Sequence, residues 1–140
     1  MATCAEILGA KVPDDAGEDS VSFLPALLGK DTKPQSDSAV HHSIHGSFAI
    51  RQGKWKLELC AGSGGWSDPK SNSPQAKALP TVQLYDLESD IGEMKNVQAD
   101  HPEVVARLTK ILEAQIADGR STPGPKRDND AKITIRKSGD

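Results

Sequence analysis

The apolar positions of this chain follow a period near 3.6 toward its two ends and a period of two in its middle. "MATCAEILGA" places Thr3, Ile7 and Ala10, and beside them Ala5 and Leu8, at helical spacing, and Gly9 and Pro13 then stop the run. No capping residue precedes it, so it reads as the second half of a helix. A turn-rich stretch with Pro13, Asp14, Asp15 and Gly17 leads to "SFLPALLG". There Ser20 or Ser22 can cap a short helix, Pro25 fits only its first turn, and Gly29 closes it. Residues 30–38 are polar, contain Pro34 and read as an exposed loop. From Ala39 the alternation is strand-like: "VHHSI" forms one strand, and "SFAIRQGKWKLEL" forms a hairpin turning at Gln52-Gly53. In it Phe48 and Ile50, then Trp55, Leu57 and Leu59, share one face, while Lys54, Lys56 and Glu58 take the wetter one. A further strand, "TVQLYDL", runs from Thr81 to Leu87. Helical periodicity returns at Val104, Val105, Leu108, Ile111, Leu112 and Ile116. Asp100 is the expected N-cap, Pro102 and Glu103 lie in the first turn, and Gly119 ends the helix.

These elements predict an α+β fold: a small antiparallel sheet of about four strands, packed by one C-terminal helix and preceded by short helices. The expected organisation is 1–38 as trailing helices and loop, 39–120 as the sheet-and-helix body, and 121–140 as a polar tail. Within that tail Ile133 to Ile135 is strand-like. Composition changes this picture in one respect. Aromatics make up 4% of the 140 residues, and there are 12 glycines and 9 prolines, so large core side chains are scarce. No apolar run approaches a membrane span, and the N-terminus lacks the basic region and apolar core of an export signal. Taken as written, the chain is expected to be cytoplasmic and to bind no membrane. The net charge of -3, with acids interspersed among Arg51, Lys54 and Lys56, predicts a solvated sheet face and no nucleic-acid partner. Cys4 and Cys60 show no disulfide framework and are expected as two buried thiols.

The candidate chemistry is concentrated at His41, His42 and His45. On a strand, His41, Ser43 and His45 point to one face, and His42 and Ile44 to the other. A zinc centre needs about three convergent ligands, and this segment supplies two per face at best, with no neighbouring acid or cysteine. The readings, in order, are polar strand histidines, pocket residues that hydrogen-bond an anionic or hydroxylated substrate, and last an autonomous metal site, for which the cluster is a weak signal. Neither cysteine has an evident base partner, and no Gly-x-Ser-x-Gly elbow is present. "GSGG" at 62–65 lacks the Lys-Ser/Thr and helix start of a phosphate loop. It sits in a loop of about twenty Gly-, Ser- and Pro-rich residues, a length that marks function or disorder. Trp66 in that loop either caps the local core, the first reading, or stacks on a ligand ring.

In order along the chain, "HHSIHGSFAIRQGKWKLELCAGSGGWS", "VQLYDLESDIGEMKNV" and "ADHPEVVARLTKILE" resemble the C-terminal region of bacterial sulfatases of the arylsulfatase A type, in the alkaline phosphatase-like superfamily. The matching positions are Arg51, Gly53, Trp55, Lys56 and Leu57, then Leu84 to Leu87, then Asp90, Glu93 and Asn96, with Ile91 in place of the usual proline. The opening, through "FLPALLG", resembles the segment leading into that region. The resemblance implies sulfuric ester hydrolysis, with a formylglycine made from the cysteine of Cys-x-Pro-Ser-Arg, a calcium ion held by Asp and Asn, and Lys and His side chains on the sulfate. None of these motifs is matched here: Cys4 is followed by Ala-Glu-Ile and Cys60 by Ala-Gly-Ser. The implied arrangement therefore has no catalytic or metal residue and no cofactor in this chain. It has a missing sulfatase catalytic domain as partner, a sulfate ester bound only in that context, and a periplasmic or secreted parent. It implies substrate-rim roles for His41, His42, His45 and Trp66. The alternative is a stand-alone module that binds sulfated glycans through Arg51, Lys54, Lys56 and the histidines, or that complements a separately encoded catalytic domain.

Overall fold

The computed structural model describes residues 1–30, 36–71 and 73–136. The core of the fold is a four-stranded antiparallel sheet in simple sequence order, β1 (Ala39–His42), β2 (Phe48–Gln52), β3 (Trp55–Glu58) and β4 (Gln83–Asp86). Short helices α1 (Ala2–Ile7) and α2 (Leu24–Leu27) precede it, α3 (Pro74–Lys77) lies between β3 and β4, and α4 (Pro102–Asp118) follows. The architecture is α+β, as the alternating and helical patterns predict. The chain divides into two compact units, one of Met1–Asp37 with Ala114–Ala131, the other of Ser38–Glu113 with Lys132–Asp140.

Register explains which side chains become core. Ile50 pairs with Leu57 and Leu57 with Leu84, so the three stand in a row across one face, and all are fully buried. On α4, Val104, Leu108 and Leu112 recur every fourth residue and form the buried stripe. The helix lies over this face: Arg107 donates to the Gln52 side chain, and the His101 ring stands 4.9 Å from that of Trp55. Gln52 and Trp55 are cross-strand partners in the same row system as Ile50 and Leu57. The hairpin turns one residue later than the sequence suggests, at Gly53-Lys54, because Gln52 is already paired with Trp55. Gly53 takes φ of 57°, the left-handed value that a tight two-residue hairpin loop asks of its first position.

Several expectations need correction. Helix α4 is capped by His101, not Asp100: the His101 carbonyl accepts from the Val104 and Val105 amides at 3.1 and 3.2 Å. Pro102 is then the first helical residue, where its missing N–H has no consequence. The Gly/Ser/Pro stretch contains α3, capped by the Ser73 hydroxyl, which accepts from the Ala76 amide. Cys4 is exposed and Cys60 buried, and the two are not joined in a disulfide. The run Ile133 to Ile135 pairs with no strand among the described residues. Residues 31–35 of the expected 30–38 loop lie outside the described residues.

In the first unit the two short helices are tied by side chains. The Ser20 hydroxyl accepts from the Ala2 amide at 2.8 Å, and the Thr3 hydroxyl from the Phe23 amide at 3.2 Å. The residues after α4 fold back on its end, where the Asn129 amide donates to the Ile116 carbonyl at 2.7 Å and the Arg127 amide to the Asp118 carbonyl at 2.9 Å. Gly119 is fixed there twice over, by φ of 62° and because a Cβ would lie 2.3 Å from the Arg127 carbonyl oxygen. Met1, Ile7, Leu8, Phe23, Leu27 and Leu28 of this unit are all more than half exposed.

Candidate functional site

The histidine segment does not run on as a strand. After His42 the chain enters a turn in which the Ser43 amide donates to the Ser47 carbonyl at 2.9 Å and the Ser47 amide returns to the Ser43 hydroxyl at 3.1 Å. Gly46, with φ of 77°, makes the reversal possible. His45 therefore belongs to the turn and does not share a strand face with His41, which corrects the pairing expected from alternation. His41, opposite Ala49, and His42, opposite Phe48, lie on opposite sheet faces. The His42 ring meets Phe48 edge-on at 4.2 Å, and all three histidines are exposed. Among the described residues no three His, Cys, Asp or Glu side chains are placed to hold a metal ion.

The structure does bring the turn together with the glycine-rich loop after β3. A Cβ on Gly64 would lie 3.1 Å from the Ser43 Cβ and 3.0 Å from the Cys60 Sγ, and one on Gly65 would lie 3.3 Å from the Ile44 Cγ2. The two segments thus touch through glycine backbone. Trp66 follows directly, 77% exposed, so it does not cap the core. The Ser47 hydroxyl at the base of the turn is buried and has no hydrogen-bond partner among the described residues.

A polar network that alternation alone did not reveal holds this loop. Gln83 sits on the face of β4 opposite Leu84, where its pattern position suggests solvent, yet it is 8% exposed. Its amide nitrogen donates to the carbonyls of Cys60 and Gly62, both at 2.8 Å, and its oxygen accepts from the Tyr85 hydroxyl at 2.7 Å. On the same face Lys56 pairs with Glu58 and Glu93, each at 2.7 Å, with only 16% of its side chain exposed. That face is covered rather than wet. Burial pulls the Lys56 amine down, but the Glu58 and Glu93 carboxylates outweigh it and hold it above the usual lysine range. Lys54 is likewise bound to Asp86 at 2.7 Å, whereas the Arg51 guanidinium donates to the Gly53 carbonyl at 3.2 Å. Asn96 fastens the segment after β4: its carbonyl accepts from the Leu84 and Gln98 amides at 3.0 and 3.1 Å, and its amide donates to the Val82 carbonyl at 3.1 Å.

Tyr85 reports on this network, because it is the single tyrosine of the chain. Burial, and after it the negative charge of Glu58 and Glu93, pushes its phenol up to about 12. The unfolded phenol ionises near ~10, so between those two values only the unfolded chain releases the proton. Stability is therefore fully present below the lower value and falls as pH rises toward the upper one. Titration of phenolate ultraviolet absorbance is expected to show one native transition near 12 that moves down on denaturation. A native transition at the ordinary tyrosine position would mean that the phenol is not buried against these acids.

No protein-family model matches the chain. Curated relatives do. The chain is 33% identical over 122 residues to an N-acetylgalactosamine-6-O-sulfatase of Bacteroides thetaiotaomicron, covering 81% of this chain and 22% of that protein. It is 31% identical over 140 residues to arylsulfatase A of Homo sapiens, covering 89% of this chain and 27% of that protein. A solved sulfatase structure from work on glycosaminoglycan metabolism by Bacteroides thetaiotaomicron superposes with a TM-score of 0.64 at 34% identity, over 81% of this chain and 23% of that one. The chain thus spans about a quarter of the length of the curated relatives it matches. Among its described residues no helix is long and apolar enough to cross a membrane.

Proposed function

We propose, from the premise that this chain is the C-terminal portion of a sulfatase, that it completes the enzyme's fold and forms one rim of its sulfate-ester pocket. The observation that carries this reading is the seating of the histidine turn, 43–47, on the glycine loop, 62–65. That contact braces the turn bearing the exposed His45 against the loop bearing the exposed Trp66, and the exposed His41 lies on the sheet face of Gln83, which holds the same loop. Binding energy from such a rim orients an ester toward chemistry located elsewhere. The apolar side chains exposed in the first unit are the complementary feature, a surface suited to the remaining three-quarters of a sulfatase.

In a sulfatase of this family a formylglycine would supply the nucleophile and a calcium ion would offset the sulfate charge. The residues of this chain do not fit either group: neither Cys4 nor Cys60 is followed by the Pro-Ser-Arg context, and the described residues offer no clustered donor set. The substrate class nearest to hand is a 6-O-sulfated amino sugar, by similarity to the N-acetylgalactosamine-6-O-sulfatase.

The test is made in the longer sulfatase that carries this segment. His41→Ala and His45→Ala are each expected to raise KM on the order of fivefold, the worth of one lost hydrogen bond, with kcat within about twofold of the parent. A collapse of kcat at unchanged KM would place the histidines in the chemistry. Unchanged values of both constants would remove them from the rim.

A further inference from the structure

Trp66 is the most exposed aromatic side chain of the chain, and the loop that bears it is unusually well fastened. Ser63 donates through its hydroxyl to the Ser67 carbonyl at 2.6 Å, accepts from the Gly65 amide at 3.2 Å, and donates its own amide to the Pro69 carbonyl at 3.0 Å. Gly62 and Gly64 take φ of 66° and 63°, and a Cβ on Gly62 would lie 2.4 Å from the Pro69 oxygen. From below, Gln83 grips the carbonyls of Cys60 and Gly62. A loop built so closely could have turned its one large apolar group into its own core; the indole projects outward instead, 77% exposed in this chain.

We infer that Trp66 is a stacking platform for a pyranose ring of a sulfated glycan, lying beside the sugar that bears the scissile ester. This inference rests on the rim reading above. An indole held in place loses little freedom on binding, so most of its contact energy is kept. The chemistry of its surroundings selects the occupant. Ser67 and Asp68 are exposed at its side, and His45 and Ile44 are exposed on the turn packed against Gly65. A flat group with one apolar C–H face and a rim of hydroxyls satisfies both the indole and these polar neighbours. Gln83 acts as a positioning residue, since the same side chain that caps β4 sets the base of the loop. A substrate with a single ring engages the ester pocket alone, whereas an oligosaccharide engages the platform as well.

The experiment compares two substrates in the longer sulfatase, a sulfated oligosaccharide and a one-ring aryl sulfate. Trp66→Ala is expected to lower kcat/KM on the oligosaccharide about tenfold, chiefly through KM, as loss of one ring stack implies. The loss of kcat/KM on the one-ring aryl sulfate is expected to be smaller by about threefold or more, because that substrate engages the ester pocket without spanning the platform. Trp66→Phe should restore most of the oligosaccharide rate. Equal losses on both substrates would make Trp66 a scaffold of the loop and overturn the inference, as would an unaltered oligosaccharide rate. If the unmodified longer protein cleaves neither ester, the sulfatase reading itself fails and takes the platform with it. Turnover of the aryl sulfate with a Trp66-independent oligosaccharide rate removes the platform alone.

Discussion

Leu57→Ala is expected to lower the free energy of unfolding by about 3 kcal/mol, the largest single-residue loss in the sheet. Leu57 is fully buried on β3, one of the two central strands, between Ile50 on one side and Leu84 on the other, both also fully buried. Its row faces the α4 stripe, whose Leu108 and Leu112 are buried to the same degree. Truncation removes the burial of several methyl and methylene groups and leaves a cavity in a layer fixed on both sides by strand pairing, where collapse is difficult. The scarcity of aromatics means that aliphatic side chains supply nearly all of this core, so few neighbours are large enough to move in. Ile7→Ala provides the contrast: Ile7 is 60% exposed, and its loss is expected to stay within about 0.5 kcal/mol. Urea unfolding followed by circular dichroism measures both. A loss below about 1 kcal/mol for Leu57→Ala would contradict the packing described, since no core leucine truncation in a sealed layer is that mild.

Much of this fold is legible in the sequence, and what was missed has identifiable causes. The alternation of Trp55, Leu57 and Leu59 and the fourfold spacing of Val104, Leu108 and Leu112 announce a sheet and its covering helix, because one-sided burial imposes those periods. Alternation says nothing about where a strand stops. The segment after His42 keeps a strand-like pattern, yet the Ser43 and Ser47 hydrogen bonds and the left-handed Gly46 turn it back, which moves His45 out of the face it seemed to share with His41. Periodicity also labels Gln83, Tyr85, Lys56 and Glu58 as the solvent side of the sheet. A second layer, the glycine-rich loop with α3, reaches over part of that side and makes Gln83 and Tyr85 buried partners. That layer is built by side chain-to-backbone bonds between residues more than twenty positions apart, which no local pattern encodes. The signal available was chemical: a Gln and a Tyr two residues apart on one strand face can only be buried as a hydrogen-bonded pair.

Candidate residues were legible in the same uneven way. Composition and spacing single out the histidines and Trp66 but cannot bring them together, because the contact between turn and loop depends on Gly64 and Gly65 having no side chains. The small signal for Cys4 was misleading. An apolar helix pattern suggested burial, while the helix leaves that side open, as it leaves Ile7 and Leu8. Asp90, Glu93 and Asn96 stood out through family resemblance, and the structure gives each a job in the turn after β4. Asp90 accepts from the Lys95 amide at 2.8 Å, Glu93 pairs with Lys56, and Asn96 ties the chain back to Val82 and Leu84. Ile91, in place of the family's proline, is 82% exposed, so the substitution leaves these anchors intact.

The division of labour proposed between this chain and the rest of a sulfatase has the largest functional consequence. Hydrolysis of a sulfate ester needs an activated nucleophile and a concentrated positive field at the departing sulfate, which together supply most of the rate enhancement. The 140 residues contain no Cys-x-Pro-Ser-Arg motif, and Lys54 and Lys56 are already neutralised by Asp86, Glu58 and Glu93. On the rim reading proposed above, these residues contribute orientation and affinity, and the attacking group belongs to another part of the enzyme. The decisive measurement is therefore sulfate release from an aryl sulfate and from 6-O-sulfated N-acetylgalactosamine by the purified 140-residue chain, beside the longer sulfatase that carries the same segment. We expect release by the longer enzyme and none above the uncatalysed background by the chain alone. Turnover by the chain alone, abolished by changing His41, His45 or Cys60, would show a complete active site within these residues and contradict the assignment of a substrate rim.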